Sequence, residues 1–316
     1  MGKCIMKKIV MMIMVAVLMI SLAACAKTTS DTMNNEAGKT LTIGLMSSED
    51  ATPFVLAEEK GYFEKHKVIV KYEVFKSAKD RDAALQSGGL DGIVGDQVAI
   101  CLYQNAGFDI KIASYTDCNF SLIAAKNSGI KTMEDVVGRS VAISEKTVIE
   151  YTLDKMLESH NIDATLVVKS VVPAIPTRVE MLSNHKVDLA LLPEPFATLA
   201  LKDGGVLLEK ASEIGLRPSV IAFTGEAIAG KQDEINLFFK AYDEAIEYAN
   251  VTPISEYEDT VIRAVGYPQD MKGKVVFPKL NKSGLPTEDA LQSAIDWVEA
   301  YGLSKKTLTP KDLIMN

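Results

Sequence analysis

Ala83-Ala84-Leu85-Gln86-Ser87-Gly88-Gly89-Leu90-Asp91-Gly92 reads as a helix that ends in glycine and a strand that an aspartate opens. A near copy recurs at Glu180-Met181-Leu182-Ser183-Asn184-His185-Lys186-Val187-Asp188-Leu189-Ala190, where the helix ends in asparagine. Working outward from the first copy, short β-branched apolar runs alternate with helical stretches. The pattern predicts strands over 41–46, 68–75, 91–95 and 110–116, with helices over 53–60, 78–87 and 97–105. A second series follows Phe120-Ser121-Leu122-Ile123-Ala124-Ala125, with helices over 132–137, 148–159, 176–183 and 195–201 and strands over 141–144, 165–172, 187–192 and 206–208. A further extended segment at 219–224 leads into helices near 233–250, 254–265 and 288–301. Each strand-helix-strand crossover returns the chain in parallel, so the expected class is α/β with parallel sheets covered on both faces. Two extended segments flanking an inserted series suit a clamp with a two-strand hinge. Lobe I is expected at 40–122 plus 222–316, and lobe II at 123–221.

Composition narrows the function. The 316 residues carry 34 basic and 42 acidic side chains. An acidic body without a basic stripe argues against nucleic acid. At the start, Lys7 and Lys8 precede an apolar run over 9–20, too short for a comfortable membrane span and typical of a signal peptide. Met6 opens that pattern better than Met1 does. Leu22-Ala23-Ala24-Cys25 is similar to the lipobox of bacterial lipoproteins, which implies cleavage of residues 1–24 and a lipid on Cys25. Removing Lys3, Lys7 and Lys8 leaves a mature net charge of −11. Residues 26–39 are polar and aperiodic and read as a tether, so the body begins near Thr40 at the outer face of a membrane. Cys101 reads as a small buried hydrophobe, and His66, His160 and His185 as surface histidines. With no metal-ligand spacing among these residues, neither metal nor cofactor is expected.

The body resembles the ABC-importer solute-binding proteins grouped with nitrate, taurine, aliphatic-sulfonate and thiamine-pyrimidine receptors. Ala57-Glu58-Glu59-Lys60-Gly61-Tyr62-Phe63-Glu64-Lys65 looks like the family's A-x-x-x-G-Y-F-E-K segment, and the two helix-turn-Asp copies look like its A-L-x-x-G-x-x-D turn. Met133 to Val141 resembles its D-L-x-G-K segment, and Leu192-Pro193-Glu194-Pro195-Phe196 its E-P segment. The resemblance implies a type II periplasmic-binding-protein fold and a monomer that captures a small-molecule solute. It also implies a cognate ABC permease and ATPase as partners.

Ligands in open α/β sheets bind beyond the carboxyl ends of the strands. That rule nominates Ser47, Ser48, Asp50, Phe54, Lys76, Asp96, Thr116 and Asp117 in lobe I, and Ser144, Thr147, Glu194 and Phe196 in lobe II. Helix N-termini at Ser144 to Val148 and at Ser77 to Lys79 suit an anionic or carbonyl group, although the same hydroxyls serve as helix caps. Phe54 and Phe196 are candidates for stacking on a flat ligand, against the alternative of core packing. Acidic residues dominate the nominated rim, Glu49, Asp50, Asp96, Asp117, Glu145, Glu150 and Glu194 against Lys76 and Lys146. This favours an amine-bearing or nitrogen-rich solute, thiamine-precursor-like, over a bare sulfonate or nitrate. The fungal thiamine-pyrimidine synthases share the fold and offer an enzyme reading. That chemistry uses clustered cysteine and histidine, which this body lacks. A sensory or adhesion lipoprotein is a third reading.

Overall fold

The structure, a computed structural model, describes residues 38–274 and 279–315. The leader, Cys25 and most of the tether lie outside the described residues. Leu41, Ile43 and Leu45 alternate along β1 (Thr40–Met46) and are all fully buried. The chain continues through α1 (Thr52–Glu59), α2 (Tyr62–Lys65), β2 (Ile69–Phe75), α3 (Ala78–Gln86), β3 (Gly92–Asp96), α4 (Gln97–Asn105) and β4 (Ile110–Tyr115). It then crosses over at 116–119 into β5 (Phe120–Ala124), β6 (Ser140–Ile143), α5 (Val148–Ser159), β7 (Val168–Val171), α6 (Ile175–Ser183), β8 (Leu189–Pro193), α7 (Phe196–Lys202) and β9 (Val206–Lys210). It crosses back at 211–218 into β10 (Ser219–Thr224), followed by α8 (Gly225–Gly230), α9 (Gln232–Val251), α10 (Glu258–Val265), α11 (Glu288–Ala300) and α12 (Pro310–Leu313).

Two five-stranded sheets result, ordered β2-β1-β3-β10-β4 and β7-β6-β8-β5-β9. They are mixed rather than purely parallel. β10 runs antiparallel to β3 and β4, and β5 antiparallel to β8 and β9. Each of these is the first strand after a crossing. A chain that leaves one sheet at its cleft edge enters the other at that sheet's cleft edge, so it must run away from the cleft, against its neighbours. For the same reason Phe120–Ala124 lies wholly in the second sheet and Ser219–Thr224 wholly in the first. The lobes therefore change at 116–119 and 211–218, and not at 122/123 and 221/222 as expected from sequence. The 254–265 helix is also shorter, starting at Glu258 after a 3-10 turn, and 132–137 holds only the 3-10 turn Met133–Val136.

Both helix-turn-Asp copies do the same work. Asp91 Oδ2 accepts from Thr42 N and Oγ1, each at 2.7 Å, and Asp188 Oδ2 accepts from Ser140 N and Oγ at 2.8 and 2.7 Å. Each aspartate thus ties the start of its sheet's first parallel strand to the turn. The left-handed residue of the turn is Gly88 (φ 79°) in one copy and His185 (φ 52°) in the other.

Helices cover both faces of each sheet. α1, α9 and α10 pack one face of the first sheet around Phe54, Phe223 and Phe238, and α4 and α11 pack the other. In the second sheet α5 covers one face, and α6 and α7 the other. A fully buried Phe such as Phe238 contributes roughly 2–3 kcal/mol of burial, so these layers carry each lobe. Among the described residues no helix is long and apolar enough to cross a membrane.

Candidate functional site

The carboxyl ends of β1 and β3 in the first sheet, and of β6 and β8 in the second, converge on one cavity of about 50 Å³ between the lobes. This is room for a few waters or a small solute. Ser48, Asp50, Arg81 and Asp96 line it from the first lobe, Ser144, Thr147 and Arg178 from the second, and Cys118 from the first crossing. Met46, Val94, Phe120, Val148, Ile149 and Ile175 supply apolar wall. A more open hollow of about 280 Å³, bounded by Gln86 and Tyr103 on one lobe and Lys146 on the other, adjoins it through Arg81, Asp96 and Thr147.

Loop geometry explains these placements. Ser48 donates its hydroxyl to Asp50 Oδ1, and Asp96 caps α4 by accepting from Ala99 N at 2.8 Å. Thr147 caps α5, with Oγ1 accepting from Ile149 N at 3.2 Å while donating to Ser144 O at 2.8 Å. Lys146 in the same turn holds φ at 57°, a left-handed conformation that brings the α5 N-terminus against the cavity. Burial pushes the carboxyls of Asp50 and Asp96 up to about 6, against the lowering influence of Ser48 on the first and Arg81 on the second.

The other nominated residues serve the scaffold. Ser47 donates to Val265 O at 2.9 Å, and Thr116 Oγ1 shares a hydrogen bond with Tyr242 at 3.0 Å. Phe54 is fully buried, 5.4 Å from Phe238 and 5.4 Å from Tyr242, so it is core and not a stacking surface. Phe196 is likewise buried, edge-on to Tyr267 across the lobe boundary. Lys76 is exposed and lends only its carbonyl, to Ile175 N at 3.2 Å. Glu194 accepts from Thr198 N at 3.1 Å. Asp117 accepts from Asn281 Nδ2 at 2.9 Å and faces a separate hollow behind the hinge.

The acidic rim is therefore largely spent. Glu150 pairs with Lys169 at 2.8 Å, Glu145 with Lys146 at 3.6 Å, and Glu49 accepts from Asn119 N at 2.6 Å. Burial, followed by the neighbouring carboxylates Glu194, Asp50 and Asp117, pushes the Glu49 carboxyl up well above its usual range even though the Asn119 bond opposes it. Asn119 also ties the crossings together, since its side chain donates to Ser212 Oγ at 2.9 Å and accepts from Ser212 N at 3.1 Å.

Sequence reasoning missed the two arginines. Arg81 and Arg178 each stand ten residues before the aspartate of their turn, and each donates from Nη1 to a backbone oxygen thirteen residues on, Val94 O and Leu191 O, both at 2.8 Å. Arg81 is neutralised by the next residue, with Nε and Nη2 donating to Asp82 Oδ1 at 2.9 and 2.7 Å. Arg178 is followed by Val179 and has no carboxylate partner among the described residues. Its Nη2 reaches Pro173 O at 3.3 Å, and its Nε is buried without an acceptor. Burial alone pulls this guanidinium down to about 10, so it stays charged at neutral pH. An unpaired buried charge costs on the order of several kcal/mol. The signal was a charged residue at a core-facing helix position, Arg81 with Leu85 and Arg178 with Ile175 and Leu182.

Residues 48–255 match the family model described as NMT1/THI5 like. Solved structures of the same fold include the alkanesulfonate-binding protein SsuA from Xanthomonas axonopodis pv. citri bound to MOPS, with TM-score 0.73 and 16% identity over 87% of this chain and 97% of that one. The periplasmic aliphatic sulphonate binding protein SsuA from Escherichia coli gives 0.73 and 17% over 88% and 92%. The periplasmic nitrate-binding protein NrtA from Synechocystis PCC 6803 gives 0.72 and 14% over 87% and 84%. No curated protein sequence matches the chain. The architecture is the type II periplasmic-binding-protein fold expected from the sequence.

Proposed function

We propose, because the chain belongs to the NMT1/THI5-like family, that it is the extracytoplasmic solute receptor of an ABC importer, held at the membrane by a lipid on Cys25. The observation that carries this reading is the cavity between two lobes, lined by capping loops from both. Closure over a solute couples binding to the surface offered to the cognate permease and its ATPase. The receptor acts as a monomer and performs no chemistry on its cargo.

Asp50 supports the nitrogen-bearing solute favoured by the sequence, because an amine or amino-heterocycle would satisfy a buried carboxylate in the wall. A second reading, an anion receptor, is supported by Arg178. Thermal-shift screening of the purified protein against amines, pyrimidines, carboxylates and sulfonates tests the receptor reading. A true solute at 100 times its Kd adds about 2.7 kcal/mol of stability. Turnover of any hit into product would instead support an enzyme.

A further inference from the structure

We infer that the solute is a small zwitterion, its cationic or N–H-rich end against the carboxylates of the first lobe and its anionic end against Arg178 of the second. This rests on the receptor reading and names the cargo of the same cavity.

The argument comes from comparing the two lobes at equivalent positions. Arg81 and Arg178 occupy the same place in two copies of one helix-turn-strand unit, and both line the cavity. In the first lobe Asp82 cancels Arg81, leaving Asp50 and Asp96 as surplus negative charge on that wall. In the second lobe the residue beside Arg178 is Val179, buried and apolar, so nothing on α6 cancels the guanidinium. Acidic neighbours elsewhere in that lobe are engaged, Glu150 and Asp154 by Lys169 and Glu194 by Thr198 N. The α5 N-terminus, a twelve-residue helix with its first turn on the same cavity, adds to the positive side. The Nε of Arg178 is buried without an acceptor, the mark of a donor awaiting a ligand atom.

The cavity is thus polarised across the lobe boundary. A zwitterion spanning it bridges the lobes and neutralises both walls at once, whereas a bare anion leaves Asp50 without a cation and a bare amine leaves Arg178 unpaired. Charge opposition of this kind rewards the closed form directly.

Calorimetric titration of the protein with β-alanine and γ-aminobutyrate, each beside its analogues lacking one charge (propionate and propylamine, butyrate and butylamine), with propanesulfonate and the uncharged cytosine as further probes, decides the matter. At least one zwitterion should bind, and its analogue lacking either charge should bind about 100-fold more weakly, the loss expected when a buried charge is left unpaired. Arg178→Gln should weaken the zwitterion similarly while binding the amine analogue at least as tightly as wild type does, because the unpaired charge that penalised it is gone. An anion, amine or cytosine binding within about threefold of the best zwitterion, or binding while no zwitterion does, overturns the inference. Should Arg178→Gln fail to fold, the wild-type panel decides alone. Absence of binding by every probe also overturns the inference, whereas the receptor reading stands or falls on the broader thermal-shift screen.

Discussion

Asp50 is buried in the cavity wall, and its raised carboxyl has two opposite consequences. For the unliganded fold, a carboxyl held near 6 against an ordinary 3.8 contributes stability that is present below pH 4 and lost as pH rises through 6. Asp50→Asn should therefore be more stable than wild type at pH 7.5, by up to about 3 kcal/mol, with the advantage gone at pH 4. For a cationic solute end the ionised form is needed, so affinity should fall as pH drops through 6, and calorimetry on Asp50→Asn should show a flatter pH dependence. The groups that set this behaviour are Ser48 and Arg81, which favour the ionised form, and Asp117, which opposes it. Little of this was readable in the sequence. Reading strand ends found Ser48, Asp50, Asp96, Ser144 and Thr147 because loops at carboxyl edges converge in any sheet of this kind. It passed over Arg81 and Arg178 because they lie inside helices, on faces that periodicity assigns to the core.

At the scale of elements, α5 and α11 tie one lobe to the other. Tyr151 of α5 is buried in the first lobe's core, edge-on to Trp297 of α11 at 5.8 Å. Trp297 Nε1 donates to Asp154 at 2.9 Å, Lys169 of β7 pairs with Asp154 at 2.7 Å, and Tyr301 bonds both Asp154 and Lys169. Tyr301→Phe deletes those hydroxyl contacts at a residue still 40% exposed, so the lobes should keep their fold. Solute binding should weaken by about fivefold, the worth of one ordinary hydrogen bond or two. An unchanged Kd would show that this contact takes no part in closure. The helices α4 and α5 and the strand β10 follow the bounds their periodicity predicts, since each carries a capping residue or a clean apolar run. Strand direction was not legible, because a buried run of apolar residues reads the same whether its neighbours are parallel or antiparallel.

For the whole molecule the claim is a clamp: two sheets of identical strand order, joined by two short crossings, whose carboxyl edges face one another across a charged cavity. The crossings are stitched by Asn119 and Ser212, and the α5–α11 contact adds a second tie between the lobes. The most direct test places spin labels at Gln86→Cys and Lys146→Cys, exposed residues that face the same hollow from opposite lobes. Cys101 and Cys118 are buried in the body. Pulsed electron-electron distance measurement should give one short, narrow separation with the best solute of the screen and a longer, broader one without it. The same distribution in both conditions would contradict the clamp.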